Sequence, residues 1–396
     1  MRSSYPALIC LIGLIGVPSL AAQEVRVGGQ IRPRMEFRDP VGAGNDGFTS
    51  MRTRLHLNAA LARRVGTFLE VQDVRLWGEE TNTLNDFQAD NLDLHQAYFD
   101  VRFAEERGAA VRVGRQEVTL GGERLIGPVG WTQQGRSFDG LRASYEGGWG
   151  RVDVLAIQLA EATSATIEHD AELAGAYAHF SVLPGGAMEL YGLFNHQAGQ
   201  AETKQFTVGA RLAGTQSVVS YRAEGSYQAG DRAGVDVAAY MVGARVGASF
   251  AGGKGQATLW YDYLSGDANP ADDKVKVFET LYATNHKFYG FADLFLDIPS
   301  HTGGLGLQDM AVKGSFAVRD DLRFNADLHT FSLAKQGSLT SRHLGEEIDL
   351  TGTYRFSGNL SAIGGLSRVF ASTALSELGR LSEDMTFTYI MINAAF

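Results

Sequence analysis

Residues 385–396, MTFTYIMINAAF, decide how the rest of the chain is read. Counted back from Phe396 in twos, one phase holds Ala394, Ile392, Ile390 and Thr388 and is largely apolar, while the other holds Asn393, Met391 and Tyr389. Side chains of a strand alternate faces with period two, so the segment reads as a strand. A soluble chain seldom ends on its most hydrophobic strand with a free aromatic. In a barrel that crosses an outer membrane, the last strand pairs with the first, because an open sheet edge cannot sit in lipid. The terminal aromatic is similar to the signal that brings such barrels to their assembly machinery, so Phe396 is the expected contact with it.

The other end of the chain agrees. Arg2, an apolar run over 7–17 and the small residues Ser19, Ala21 and Ala22 form a secretory leader. The run is too short to cross a bilayer as a helix. Residues 1–22 are therefore expected to be removed, with cleavage after Ala21 or Ala22, leaving 23–396 as one barrel domain. The only cysteine, Cys10, lies in the leader. Disulfides, thiolate metal sites and cysteine nucleophiles are thereby excluded from the mature chain. The 396 residues contain 48 glycines but only 8 prolines, and 14 tyrosines with 22 phenylalanines. No linker or composition shift divides them, so one large all-β unit fits better than several soluble domains.

The first mature strand is the clearest. Val25, Val27, Gly29, Ile31, Pro33, Met35 and Phe37 share one face; Arg26, Gln30, Arg32, Arg34, Glu36 and Arg38 share the other. A second copy sets Met51, Thr53, Leu55, Leu57 and Leu61 against Arg52, Arg54, His56 and Asn58. Further strands are expected over 66–77, 92–103, 110–118, 138–146, 150–159, 172–182, 187–196, 204–212, 218–228, 236–250, 256–264, 307–318, 321–334, 346–356, 359–370 and 385–396. With the first two that makes eighteen, most near the ~10 residues a tilted strand needs to cross the hydrocarbon. Short turns alternate with long polar loops, the longest over about 265–304. That alternation marks an antiparallel transmembrane barrel with short turns toward the periplasm and long loops outward. The phase of 110–118 shifts near Gly114 and Arg115, which predicts a bulge there, and 66–77 fits neither phase throughout.

The inward phase is rich in cations: Arg26, Arg32, Arg34, Arg38, Arg52, Arg54, Arg102, Arg142, Arg211, Arg222, Arg245, Lys313, Arg323 and Arg355. The acids on that phase are Glu36, Asp100, Glu146, Glu189, Glu224, Asp262, Asp327, Glu347 and Asp349. The interior therefore reads as net positive in a chain whose formal charge is −10. Charged rings set a pore's ion preference, and arginine binds carboxylates bidentately. Each arginine has the competing reading of a partner to a neighbouring lumen acid, holding the wall together. Arg32, Arg34, Arg52 and Arg54 lie on one hairpin and are expected to form one basic patch that tunes selectivity.

From Gly114 the chain runs GRQEVTLGGERLIGPVGWTQQGRSFDGLR to Arg142. Within it Gly114-Arg115-Gln116-Glu117, Gly121, Arg124-Leu125-Ile126-Gly127, Trp131 and Arg136-Ser137-Phe138-Asp139-Gly140 resemble the alginate-export family of outer-membrane porins. A second block is Tyr261-Asp262-Tyr263, Ser265-Gly266-Asp267, Thr284-Asn285-His286-Lys287-Phe288-Tyr289-Gly290 and Asp293; a third is Gln72-Asp73-Val74-Arg75-Leu76-Trp77-Gly78. The resemblance implies an all-β barrel of 18 strands whose arginine-lined, electropositive lumen passes an anionic polysaccharide outward, partly gated by loops. It makes Arg115, Arg124, Arg136 and Asp139 the constriction candidates, in a loop expected to fold inward. A pair between Arg136 and Asp139 bracing that loop is the competing reading.

Function then divides three ways: passive export of an acidic polysaccharide such as alginate, an anion-selective porin for small solutes, or a structural or adhesive barrel. The expected partners are the anionic polysaccharide or small anions, outer-membrane lipid and lipopolysaccharide, the assembly machinery, and periplasmic export machinery. Localisation in the outer membrane of a Gram-negative bacterium follows. Asp267, Asn269, Asp272 and Asp273 offer hard oxygens of the kind calcium takes, but without EF-hand spacing, so a solvated acidic loop is the stronger reading. No cofactor is expected. No Ser/His/acid cluster can be assembled for an enzyme, and nothing in the sequence suits nucleic acid.

Overall fold

Strands that are apolar on one face and charged on the other are satisfied together only where the sheet closes on itself, with lipid outside. The sheet closes. In this computed structural model, which describes residues 24–41, 44–78, 92–162, 169–199 and 201–396, eighteen long strands run antiparallel, each pairing with its neighbours in sequence. They are β1 (Glu24–Val41), β2 (Gly44–Ala62), β3 (Val65–Leu76), β4 (Leu92–Arg102), β5 (Gly108–Gln116), β6 (Phe138–Gly147), β7 (Gly150–Ala160), β8 (Ala171–Leu183) and β9 (Gly186–Gln197). Then follow β10 (Thr203–Gln216), β11 (Val219–Arg232), β12 (Val235–Phe250) and β13 (Gly255–Leu264). After a two-residue strand inside a loop, β14 (Lys274–Val275), come β15 (Leu307–Arg319), β16 (Leu322–Leu333), β17 (His343–Arg355), β18 (Leu360–Ala371) and β19 (Met385–Ala395).

Closure runs through the two segments read first. Gln30 faces Ala395, Arg34 faces Met391 and Asp39 faces Thr386, and Gly29 and Phe396 exchange backbone hydrogen bonds of 2.9 and 3.1 Å. The leader at 1–22 lies outside the described residues. Val25, Val27, Ile31, Met35 and Phe37 point outward while Arg32, Arg34 and Glu36 are buried inside. Aromatics such as Tyr145, Trp149 and Phe180 stack at the short-turn end, as interfacial girdles do.

Two irregularities differ from the sequence expectation. The β4–β5 and β5–β6 ladders keep register past Gly114, so no bulge lies there. Gly114 instead adopts φ +126, and a Cβ on it would fall 2.2 Å from the Ala97 carbonyl oxygen. The bulge is one strand away: Glu70 pairs with Gln96 but Val71 with Leu94, leaving His95 as the extra residue on β4. The mixed phase of β3 has its own cause. Phe68 turns inward to stack between His56 and Tyr98, and Asp73 pairs with Arg75 in the last turn of the strand.

Two loops enter the barrel from the long-loop end, one over 117–137 and one over 265–306. Leu120, Leu125, Ile126, Phe278, Phe288, Phe295 and Ile298 on these loops pack with Leu155, Ile157, Leu173, Leu193, Met241, Leu264, Phe331 and Leu333 on the inner wall. The inward face of β7 to β9 and β12 is therefore apolar near its long-loop end, where an empty channel would be polar. At roughly 1.5–3 kcal/mol per buried aliphatic or aromatic side chain, this inner core fixes both loops.

Candidate functional site

The two loops join one another before they join the wall. Tyr282 donates to the Leu125 carbonyl at 2.8 Å, Gly127 to that of Tyr282 at 2.9 Å, and Thr284 to that of Glu123 at 3.1 Å, a short parallel bridge centred on Ile126 and Tyr282. Gly127 must be glycine or nearly so, because a Cβ there would lie 2.2 Å from the Thr284 hydroxyl. Together the loops form a plug.

Three posts fix the plug to the wall. The first is Arg124, 2 % exposed, whose guanidinium donates to Asp262 on β13 at 2.7 Å and to the Tyr289 hydroxyl at 2.6 Å and lies 3.9 Å over the Phe288 ring. Burial opposes its charge, but Asp262, Tyr289 and Glu224 outweigh that and hold it protonated. The second is Trp131, stacked at 4.2 Å on His286, edge-on to Tyr389, under the Arg34 guanidinium at 4.0 Å, with its indole N–H donated to Asp293 at 3.1 Å. His286 bonds the same carboxylate at 2.6 Å. The third is a carboxylate pair on β17. Glu347 accepts the Ala292 amide at 2.7 Å and Asp349 that of Phe291 at 3.3 Å, directly below Gly290 at φ +81.

The basic patch of β1 and β2 faces inward but meets this plug, not open lumen. Arg32 donates to the Gly130, Trp131 and Thr132 carbonyls and to Gln133 at 2.7–3.2 Å. Arg34 donates to Trp131 at 2.6 Å and Glu36 at 2.7 Å. Arg52 reaches the Thr132 and Gln133 carbonyls at 3.4 Å and Gln30 at 2.6 Å. All three are 5–6 % exposed. Arg54 bonds Gln72 at 2.7 Å and Glu117 at 3.2 Å. Burial would raise the Glu117 carboxyl, yet His95 and Arg54 together hold it below the usual range. A guanidinium matches peptide carbonyls as well as carboxylates, and its five donors let one side chain cap a whole turn.

Of the four loop candidates, only Arg124 and Arg136 belong to the plug. Arg136 donates to the Ala283 carbonyl at 3.3 Å, and burial lowers its pKa. Arg115 and Asp139 are register partners and pair with each other at 2.7 Å on the outward face, the phase of the exposed Val113 and Leu141. Gln116 and Phe138 take the inward positions where the chain turns into the loop. The constriction role expected for Arg115 and Asp139, and the pair expected between Arg136 and Asp139, are therefore corrected.

Toward the short-turn end the lumen cations lie below the plug. Arg142 bonds Asp153, Arg211 bonds Glu189 and Lys313 bonds Asp327 at 2.8–2.9 Å, while Arg222 bonds Glu224 at 2.6 Å. Arg245 lies against the face of Trp260; its Nε and one terminal nitrogen are buried without a hydrogen-bond partner. Among the described residues Arg323 reaches only the Ser315 hydroxyl, at 3.3 Å, and Arg355 is exposed at the rim. Three inward carboxylates were missed from sequence: Glu70, Asp153 and Asp309 are all buried. Glu70 sits on the strand whose phase was mixed. Asp153 leads into Leu155 and Ile157, inward apolar residues that disguise the face.

Asp267 accepts the Asn269 and Lys276 amides, and Asp272 accepts the Lys274 amide and pairs with Lys276. These oxygens close backbone turns. Among the described residues no group of three or more His, Cys, Asp or Glu is placed to hold a metal ion.

A closed antiparallel barrel with an apolar exterior, an inward loop plug and a charged lumen defines an outer-membrane channel protein of Gram-negative bacteria. The chain belongs to the alginate-export family: the profile of that family, described as Alginate export, matches residues 23–379. No curated protein sequence matches it. Among solved structures it is similar to Acinetobacter baumannii OccAB4, with TM-score 0.66, 11 % identity, and coverage of 96 % of this chain and 100 % of that one. It is also similar to Pseudomonas aeruginosa OccK3 (OpdO), with TM-score 0.66, 12 % identity, and coverage of 95 % and 96 %. The outer membrane protein opdK of Pseudomonas aeruginosa matches with TM-score 0.61, 12 % identity, and coverage of 95 % and 100 %. At such identities these three speak for the fold alone. The blocks that carry the family resemblance all meet at the plug: Gln72 donates to the Gln134 carbonyl at 2.8 Å, Arg124 binds Asp262, and Trp131 stacks on His286.

Proposed function

We propose that the barrel is an anion-selective channel that exports an acidic polysaccharide such as alginate. The observation that supports this reading is the pairing of the lumen charges below the plug. Arg245 and Arg355 have no carboxylate within ion-pair distance among the described residues, and Arg323 reaches only a hydroxyl. Paired charges cancel at a distance, so the potential felt by a passing solute is set chiefly by the Arg245 guanidinium, with smaller, solvent-screened contributions from the exposed Arg323 and Arg355. A polyuronate presents one carboxylate per sugar and suits an arginine fork. Flow follows a gradient or periplasmic machinery, since the barrel offers no phosphate-binding loop for a nucleotide. The filled long-loop half favours a second reading, a porin for small anions only.

Planar-bilayer recordings test the proposal. Anion selectivity with current blocked by uronate oligomers is the expected result. Anion current that oligomers leave unchanged establishes the small-anion porin, and a cation-selective channel overturns both.

A further inference from the structure

The outward face of the barrel is not evenly covered. A groove of about 1220 Å³ climbs across it from the short-turn ends of β12 and β13, over the seam, to β2 near the long-loop end. Small residues facing one another across the strands make its floor: Gly314 stands opposite Ala257 and Ala326, and Gly352 opposite Gly364. Phe316, Phe324, Leu350 and Leu366, exposed on the same phase, make its walls. Two of the glycines are not required by the backbone. Neither Gly314 nor Gly364 has a positive φ. A Cβ would lie 3.6 Å from its nearest neighbour at the first and 4.0 Å at the second, which is ordinary contact. The next residue is the contrast: Gly365 faces inward, and a Cβ there would fall 2.1 Å from the Tyr389 ring. Glycine weakens a strand and gives its neighbours no side chain to pack on. Open glycines on the lipid face therefore leave room for something other than the wall.

The charges at the lower end of the groove select its occupant. Lys254, in the turn between β12 and β13, is exposed and has no acidic partner among the described residues. Its carbonyl accepts the Ala317 amide at 2.8 Å, which sets the turn beside Phe316. Arg319, at the end of β15, lies 5.9 Å over the ring of Tyr354 on the outward phase and also holds Asp321 at 3.0 Å. Two cations thus stand at the periplasmic surface beneath an apolar trough. We propose that the groove binds one anionic phospholipid of the periplasmic leaflet, with its phosphate on Lys254 and Arg319 and an acyl chain laid along Gly314, Ala326, Gly352 and Gly364. A trough gives a chain dispersion contacts on three sides where a flat wall gives one, and basic side chains at the membrane surface attract anionic headgroups. A second barrel fits less well, because two convex walls meet on the flanking side chains and leave the floor empty. The site lies outside the lumen, so it stands or falls independently of what the channel carries.

The test uses the full chain, folded in vesicles of phosphatidylethanolamine and phosphatidylglycerol in equal amounts and moved to detergent for native mass spectrometry. A single phosphatidylglycerol is expected to stay on each chain, with a preference of about fivefold over phosphatidylethanolamine. Gly314→Leu with Gly364→Leu, checked for heat-modifiable migration on gels, fills the trough and lowers retention of both lipids about tenfold. Lys254→Gln with Arg319→Gln leaves a lipid bound but brings the preference to within about twofold. Should the leucine variant fail to fold, Gly364→Leu alone and the loss of preference in the Lys254→Gln and Arg319→Gln chain still decide. No lipid on the unaltered chain, retention that survives a filled trough, or equal retention of the two lipids overturns the site. A lipid-free dimer that dissociates when the trough is filled also overturns it, in favour of a second copy of the chain.

Discussion

The hairpin arginines Arg32, Arg34 and Arg52 and the floor group Arg211, Arg222, Arg245 and Lys313 share a residue chemistry, an inward phase and a wall of β-strands. They differ in what stands opposite. The hairpin group meets the carbonyls of 130–133 and is buried by them. The floor group meets an open cavity. Inward phase therefore makes a residue available to the lumen, and only the loops decide whether it is offered to a solute. Arginine content alone does not measure electropositivity of a pore.

The strongest way to break this contrast is to remove the post that separates the two groups. Asp262→Ala leaves the Arg124 guanidinium buried without its carboxylate. Removing one partner of a buried ion pair costs about 3–5 kcal/mol. The plug is expected to loosen while the barrel still forms, seen as a rise in single-channel conductance and faster amide exchange over 117–137. Unchanged exchange there would remove Arg124 from its role as a post.

A smaller effect sharpens the hairpin side. Arg32→Gln with Arg52→Gln deletes several charge-assisted bonds, each worth about 1.5–3 kcal/mol, of which relaxation and water recover a part. Protection of 130–134 against limited proteolysis should fall. Anion preference should shift by less than twofold, because neither guanidinium faces the lumen water. A large loss of anion preference with the plug intact would mean that the hairpin patch is reached by solute after all.

The smallest effect is expected at the rim. Arg323→Gln with Arg355→Gln removes exposed charges whose influence extends about one Debye length, ~10 Å at 0.1 M salt. The reversal potential should move by a few millivolts at low salt and not at all at 1 M. A shift that persists at high salt would place these side chains in a narrower part of the pore.

The fold was legible in the sequence because the barrel writes it locally. Alternation, strand length and turn spacing are set within each hairpin, and the expected strand ends lie within four residues of those observed except at the start of β2, which begins at Gly44, seven residues before the expected Met51. The site was legible in part. The blocks around Arg124, Asp262, Trp131 and His286 stood out as motifs, and the structure shows why they occur together. What they touch was not legible, since Arg124 and Asp262 are 138 residues apart. Arg115 and Asp139 were named by the resemblance and not by alternation, and the phase they share with the exposed Val113 and Leu141 sets them on the outward face. Glu70 and Asp153 were missed because inward apolar neighbours imitate a lipid face: Phe68, stacked between His56 and Tyr98, beside Glu70, and Leu155 and Ile157, packed against the plug, beside Asp153.

Barrel closure has a consequence in time. Every other strand pair in the wall joins segments that lie near one another in sequence, but the seam between β1 and β19 brings Gln30 to Asn393, 363 residues away, where their amides bond at 2.6 Å. Closing a flexible segment of that length costs about 3 kcal/mol more than closing one of ten residues. The hairpins can form as they arrive, and the seam must form last. Until it does, β1 and β19 each present an unpaired edge to their surroundings. The seam therefore carries the largest closure entropy of the pairings in the wall, and a chain that lost β19 would leave the edges of β1 and β18 without their partner.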